Sequence, residues 1–352
     1  MSDIAWAFIT PFMWPFPHIL ASIRLKGSEP RPILKAKPFL DFFGNLSAFG
    51  GSLRSYLIAV FIVYGLYNGE SYPAFGLAST LSLSWMLPIV LRNVIGTWLI
   101  CGFWDWWLYF GPLKNKFFKY KIVQKYPSMA QMRHDIFYTS LSSVCASVIE
   151  IILCHLYATG TFSVARLTSE SPISHLILAL TITHWRIPHF WLIHRVMHPW
   201  KTDYFPDVGK FLYRHVHSLH HKSYNTTAFS GTNMHPVEST LYYSAALLCF
   251  PLGVLFGPLH PCIGLGCLID LGMGAWIGHD GFLFPGGGDY FHSLHHQHFD
   301  CNYGAPHVPI DKMLGLFAGS KEDLAKIWSK KPAGRNANDT YVQSDSPSDK
   351  VE

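Results

Sequence analysis

The sequence predicts an all-α protein, a multi-pass transmembrane helical bundle that carries a histidine-rich dimetal site on one membrane face. Three observations carry that expectation. The 352 residues are 49% hydrophobic and 16% aromatic but only 14% charged, well under the quarter usual in soluble domains. Several apolar runs approach or exceed the roughly 20 residues a helix needs to cross a bilayer. And the stretch from His189 to His307 holds 15 of the 20 histidines, most of them in short arrays.

In chain order, residues 1–52 are expected to be an interfacial segment and a loop. Ile4 to Ile23 is interrupted at Pro11, Pro15 and Pro17, a poor spanning helix, and lacks the basic start and small-residue cleavage site of a signal peptide. Arg24 to Pro38 is polar and proline-broken. Residues 53–193 are expected to hold transmembrane helices. The first covers Leu53 to Tyr67. Ala74 to Phe110 is long enough to cross twice and is interrupted at Pro88 and Arg92-Asn93; its tail, Trp98 to Tyr109, has four tryptophans and Asp105, as in an aromatic belt. A basic loop, residues 111–135, carries Lys114, Lys116, Lys119, Lys121, Lys125 and Arg133 with no acid before Asp135, and the positive-inside rule makes it cytosolic. Ile136 to Ala158 and Pro172 to Ile193 then cross and return. In the catalytic region, residues 194–332, a membrane hairpin at 239–278 turns at Pro251, Gly253, Gly257 and Pro258. The tail, 333–352, is rich in Ser, Asp, Asn and Lys and is expected to be disordered.

This topology brings every histidine array to the cytosolic face. The arrays are His194-Arg-Val-Met-His198, His217-Ser-Leu-His220-His221 and His292-Ser-Leu-His295-His296, with His279 between the last two. One accidental HxxHH is expected in roughly one chain of this length in fifteen or twenty, and two in a few per thousand. Residues three and four apart share a helix face, so each array is expected to aim its imidazoles at a single point. Neutral imidazole suits iron, zinc, copper or nickel, and nine are too many for one ion but about right for two. The seven cysteines form no CxxC pair, so neither a disulfide framework nor a zinc ribbon is indicated. The HExxH glutamate of a metalloprotease is replaced by Arg195. The best remaining chemistry is a dinuclear non-haem iron centre activating O2 against an inert C–H bond of a lipid. The net charge of +5 comes with no basic tract built for nucleic acid.

From about Trp191 to Leu316 the chain resembles the fatty acid hydroxylase superfamily of integral-membrane sterol desaturases, sterol methyl oxidases and lipid hydroxylases. The matching boxes are the three arrays, His235-Pro236-Val237-Glu238, His279-Asp280-Gly281 and Phe299-Asp300-Cys301-Asn302-Tyr303-Gly304. The resemblance implies four or so spans under a cytosolic helical cap, in the endoplasmic reticulum. As metal ligands it implies His194, His198, His217, His220, His221, His279, His292, His295 and His296, with His235 and Asn302 as groups that orient them. It further implies two iron ions, which zinc can replace in purified samples, O2, and electrons from NAD(P)H through a separate donor, commonly cytochrome b5. The HDG box and the Phe299–Gly304 segment are similar to sterol C5-desaturases and favour a sterol substrate. Glu238, where that branch has aspartate, Asn225-Thr-Thr-Ala-Phe229 and Ile310-Asp-Lys312 depart from it, and keep open a fatty acid or sphingolipid hydroxylase or a sterol C4-methyl oxidase. A metal transporter is the non-enzymatic alternative, disfavoured because the arrays lie in polar, lysine-rich segments rather than at the bilayer midplane.

His189, His215, His298 and His307 lie off the array faces or outside the boxes and read as structural. Glu238 reads as an acid stabilising the helix begun at Pro236. Asp105, Glu150 and Asp270, inside apolar runs, are candidate functional groups.

Overall fold

The computed structural model describes residues 42–67, 78–161, 173–200, 206–282 and 288–319, with Asp323 and Ile327; the expectations for residues 4–38 and for the tail lie outside them. Among the described residues every extended element is helical. Four runs are long and apolar enough to cross a membrane, Leu46–Leu66, Leu83–Phe110, Met129–Ala158 and Pro236–Phe256, and a bent pair makes a fifth.

Helix α1, Phe42–Val60, continues through a π-helical turn to Leu66, so it starts eleven residues before the expected Leu53. Helix α2, Leu83–Asp105, is capped by Ser82, whose hydroxyl accepts from Ser84 N, and runs on to Phe110 as one span. The breaks allowed for at Pro88 and Arg92-Asn93 do not occur. Pro88 lies in the second turn, where one lost backbone bond is tolerable. Arg92 and Asn93 reach sideways instead, to helix α3, Met129–Ala158. Arg92 pairs with Glu150 at 2.5 Å, and Asn93 donates to Glu150 and Ser147. Thr97 accepts from Ser143, and Trp98 donates to Ser140, so the two helices run antiparallel along a polar seam. The opposite face of α2 shows Leu87, Leu91, Ile95 and Leu99 outward, a lipid-facing stripe. The tryptophans of its tail divide: Trp98 and Trp106 face outward, while Trp104 is fully buried.

The span expected at Pro172 to Ile193 is bent by 68° between Ile173–Leu180 and Ile182–Val196. The first half is helix α4, Ile173–Leu180; after the break at Thr181 and a short helical turn over Ile182–Trp185 comes helix α5, Ile187–Val196, with Pro188 in its first turn. The break lets Arg186 turn inward to Asp270, at 2.5 Å. After helix α6, Val208–His215, come helix α7, Pro236–Tyr243, and helix α8, Cys249–Phe256, which form one apolar run joined by a 3-10 turn. The chain turns at Gly257, whose φ of 96° suits glycine, whereas Pro251 and Gly253 lie within α8. Helix α9, Cys262–Ile277, returns almost wholly buried; apolar all round, it is the axis of the bundle. Helix α10, Gly288–His298, completes the set.

Two of the intramembrane acids are thus structural partners of arginines. Ser55 also donates to Asp270, so that carboxylate joins α1, α9 and the α4–α5 bend. Removing one member of a buried pair strands a charge at a cost of ~3–5 kcal/mol. Asp270→Ala is therefore expected to lose that much stability, and the double variant Asp270→Leu/Arg186→Met to recover most of it. Thermal unfolding in detergent checks this; equal melting of wild type and single variant would remove the pair from the account.

Candidate metal centre

The ends of α2, α5 and α9 and the starts of α3 and α7 meet at one end of the bundle. The contacts that fix this are Asp105 with Ala228 N, Tyr109 with the carbonyls of Thr226 and Asp280, and Asp135 with Asn233. Into that end project the nine histidines. They form two buried groups, His194, His198, His217, His221 and His295 in one and His220, His279, His292 and His296 in the other; within each group one nitrogen per ring lies within 4.8 Å of all the others.

The expectation that each array aims at one point fails for both HxxHH arrays. His217–Lys222 is a 3-10 turn, in which residues three apart stack one above the other with a separation of ~6 Å along the axis. His217 and His220 therefore reach different groups, and His221 joins His217. On α10, His295 and His296 are neighbours turned ~100° apart, so His295 faces the first group while His292 and His296, four apart, face the second. Only the pair at the end of α5 keeps to one centre. Two HxxHH segments thereby serve two centres each.

The other ring nitrogens are tied down. His194 Nδ1 is 2.7 Å from Tyr303 O, His279 Nδ1 2.7 Å from Ala275 O, His295 Nδ1 2.7 Å from Cys301 O and His220 Nδ1 3.2 Å from Asn233 O. His217 Nδ1 is 2.7 Å from Glu238 Oε1. A carbonyl oxygen or carboxylate only accepts, so these Nδ1 atoms carry the protons and the matching Nε2 atoms are bare lone pairs. Yet His194 Nε2 lies 3.1 Å from His217 Nε2. Two lone pairs at that distance repel unless a cation lies between them. The spacing is also that of neighbouring vertices around an ion with bonds of ~2.1 Å. His198 Nε2 and His295 Nε2 are buried without a hydrogen-bond partner, although buried polar atoms are nearly always satisfied. The residues fit a pair of metal ions.

Burial also sets the charge. It pushes His220 down to about 4 and His217 and His279 down to about 3, and lowers His198, His221, His292, His295 and His296, the neighbouring imidazoles adding to the effect for His220, His279 and those five. All are neutral near pH 7, the form that binds metal.

Around the imidazoles runs a layer of groups that hold them. Glu238, expected to serve its own helix, instead gives its carboxylate to His217. Buried Asp135 accepts from Ser223, Ser230, Asn233 and Gln131, fixing the Asn233 carbonyl that His220 uses. Asp311, also buried, accepts from Trp191 Nε1 and from the N–H groups of Tyr303 and Gly304, holding the carbonyl that His194 uses. Lys121, expected in an open basic loop, is 1% exposed; it donates to Asn225, and desolvation lowers it to about 8. Arg195 donates to the carbonyls of His198 and Pro199 and lies 5.1 Å over the Tyr303 ring.

The two expected orienting groups act otherwise. His235 is only half buried and caps α7, its Nδ1 accepting from Val237 N; none of its hydrogen bonds among the described residues reaches an imidazole. Asn302, with a φ of 58° that asparagine tolerates, ties Phe291 O on α10 to Ala318, steadying the helix rather than a ring. His189, His215, His298 and His307 lie outside both groups: His189 meets Ser244, and His307 meets Thr183 O.

Residues 176–316, which contain all nine histidines, match the sequence profile of the fatty acid hydroxylase family. The chain is similar to the putative Delta(7)-sterol-C5(6)-desaturase 2 of Arabidopsis thaliana, at 25% identity over 71% of this chain and 91% of that protein. It is also similar to lathosterol oxidase of Rattus norvegicus, at 26% over 72% and 82%, and to sphinganine C4-monooxygenase 2 of Arabidopsis thaliana, at 25% over 50% and 68%. No solved structure gives a significant match. The chain thus combines apolar runs long enough to cross a membrane and two buried histidine groups with similarity to sterol desaturases and lipid oxidases.

Asp311→Ala should free the loop that holds His194. Losing hydrogen bonds to a buried carboxylate is worth ~2–4 kcal/mol here, so amide exchange at Tyr303 and Gly304 is expected to quicken roughly 30- to 1000-fold. Hydrogen-exchange mass spectrometry checks it; unchanged protection would show that the clamp is not what orders the loop.

Proposed function

We propose that the nine histidines hold two iron ions, and that the protein is an O2-dependent oxidoreductase that desaturates or hydroxylates a membrane lipid, a sterol in first place. The observation that carries this is the opposed pair of bare nitrogens, His194 Nε2 and His217 Nε2, 3.1 Å apart in a wholly imidazole-lined site at the end of apolar spans. Iron bound there would supply the activation of O2 that an unactivated C–H bond requires, which acid–base groups alone do not.

The chain's own residues have three tasks. The carbonyls of Tyr303, Asn233, Ala275 and Cys301 hold the Nδ1 protons of four rings, so that each Nε2 lone pair points inward. Glu238 does the same for His217. The burial of all nine rings keeps bulk water from the reacting carbon. Electrons come from NAD(P)H through a separate protein, cytochrome b5 or an equivalent, and the histidine end of the bundle faces the cytosol from the endoplasmic reticulum membrane. A sterol is favoured by His279-Asp280-Gly281, by Phe299–Gly304 and by the two sterol-named relatives. Sphingolipid or fatty acid hydroxylation, or sterol C4-methyl oxidation, is the second reading; Glu238 and the similarity to sphinganine C4-monooxygenase 2 favour it.

The test is to express wild type and His220→Ala in sterol-containing yeast membranes with O2 and to compare sterols, fatty acids and sphingolipids by mass. A loss of two hydrogens from a sterol, seen with wild type alone, is the expected result. A gain of one oxygen would move the assignment to hydroxylation of whichever lipid carried it, and identical profiles at equal expression would refute these lipids as substrates.

The two groups also separate in a metal assay. Wild type is expected to retain two ions per chain. Asp135→Ala releases Asn233 and with it His220, which belongs to the four-membered group alone, and changes of this kind weaken metal affinity by about 10- to 100-fold. Against a mild chelator this variant should therefore fall toward one ion per chain, by elemental analysis. Loss of both ions together, or of neither, would contradict the assignment of the rings to two centres.

A further inference from the structure

Helix α6 has two faces with opposite demands. Inward, Tyr213 is 5% exposed, its ring centroid 5.2 Å from that of His198 and 5.7 Å from that of His221. At Gly209 a Cβ would lie 2.1 Å from His198 O and 2.5 Å from the Trp200 ring, so the helix is pressed against the end of α5. Outward, Val208 is 45% and Phe211 61% exposed; three residues apart, they share a face. Beside them Lys210 and Arg214, four apart, are exposed as well. The helix starts on Asp207, whose carboxylate accepts from Lys210 N and Trp200 N.

An exposed Phe and Val beside two cations is not what a water-facing helix needs; burying such a side chain stabilises by ~1.5–3 kcal/mol. The apolar strip also continues. Leu192 and Val196, four apart on α5, are 54% and 36% exposed, and α5 belongs to the bent apolar pair that meets the criteria for a span. Trp200 links the two helices, its Nε1 donating to Val196 O. Exposed apolar side chains thus stand both on a candidate span and on α6, with Trp200 packed between the two helices, and those of α6 lie beside basic residues, the pattern of a helix lying in a bilayer interface.

We propose that α6 docks on the phospholipid bilayer surface, with Val208 and Phe211 among the acyl-chain ends nearest the headgroups and Lys210 and Arg214 at the lipid phosphates. The bilayer then comes within one helix diameter, ~10 Å, of His198 and His221, with Tyr213 between. The occupant is the membrane of the chain's own spans, since α6 is pressed against the end of α5, which belongs to a candidate span.

The test uses the full chain in nanodiscs of phosphatidylcholine with phosphatidylserine, a nitroxide being attached at Phe211→Cys or at Arg214→Cys. Wild type treated with the same reagent sets the background from Cys145, which is only part-buried, and from the six buried cysteines. Power saturation with O2 and with a water-soluble nickel chelate reads the depth. The expected result is a label at 211 that O2 reaches and the chelate does not, and a label at 214 at headgroup level, open to both. Equal chelate access at both positions would put the helix in water, and a label at 211 shielded from both reagents would put another protein there; either overturns the proposal. The readout requires neither metal nor activity, so it stands or falls separately from the proposed reaction.

Discussion

The histidine end of the bundle depends on one constraint: each ring that is anchored by its Nδ1 proton must leave a lone pair on the other side. Four backbone carbonyls and Glu238 take five such protons. These acceptors come from Asn233 before α7, Ala275 near the end of α9, Cys301 and Tyr303 after α10, and Glu238 on α7. The rings cannot be oriented until those segments are in place, so the site is a product of tertiary packing and not of any one array. Asp135 and Asp311 belong to the same logic one step out, each fixing a backbone carbonyl rather than a ring.

The apolar spans serve that packing. A polar group in hydrocarbon has to find its partner within the protein, and here the acids Glu150 and Asp270 find theirs on other helices. Glu150 binds α3 to α2 through Arg92 and Asn93, and Asp270 binds α9 to α1 and to the α4–α5 bend through Ser55 and Arg186. These contacts set the relative heights of the helices. Height matters because α3, α7 and α9 all deliver residues of the site from their ends, and one helical turn of slip, ~5.4 Å, would carry His279 or Asp135 out of reach.

The sequence carried the spans and the histidines but not their assignment. Lipid demands long apolar runs, so a helix over Ile136–Ala158 could be read from composition, although it starts earlier, at Met129, inside the stretch read as a basic loop. Proline and charge were poorer guides: Pro88 sits too near a helix start to break it, and Arg92 looked like an interruption because its partner is 58 residues away. Which ring serves which centre was hidden for a local reason. HxxHH has one spelling, but His217–Lys222 winds as a 3-10 turn and Gly288–His298 as an α-helix, and the two project the same letters differently. Glu238 and Asp135 were missed because an acid near a helix start has an ordinary local explanation; only the fold shows His217 and Asn233 opposite them. The burial of Lys121, sheltered by Asn225 and the Tyr109 and Phe282 rings, left no trace in a lysine-rich segment.

The same constraint bears on how this region folds. Burying a neutral imidazole without a partner for its lone pair costs free energy, and here the usual relief is closed. Protonation would supply a hydrogen between two facing nitrogens, but burial holds His217 and His279 down to about 3, so near pH 7 the rings stay neutral. Neutral His221 and His296, whose Nδ1 atoms make no hydrogen bond, can each give one hydrogen, to His217 Nε2 and His279 Nε2, but the anchored His194 and His217 still present facing acceptors to one another. A cation is the one partner that satisfies several converging lone pairs at once, and its binding free energy is then also folding free energy. If the proposed ions are bound, the arrays, the carbonyls behind them and the spans that set their heights would form one cooperative unit, in which metal binding and the final packing of α5, α10 and the His217–Lys222 turn would be the same event.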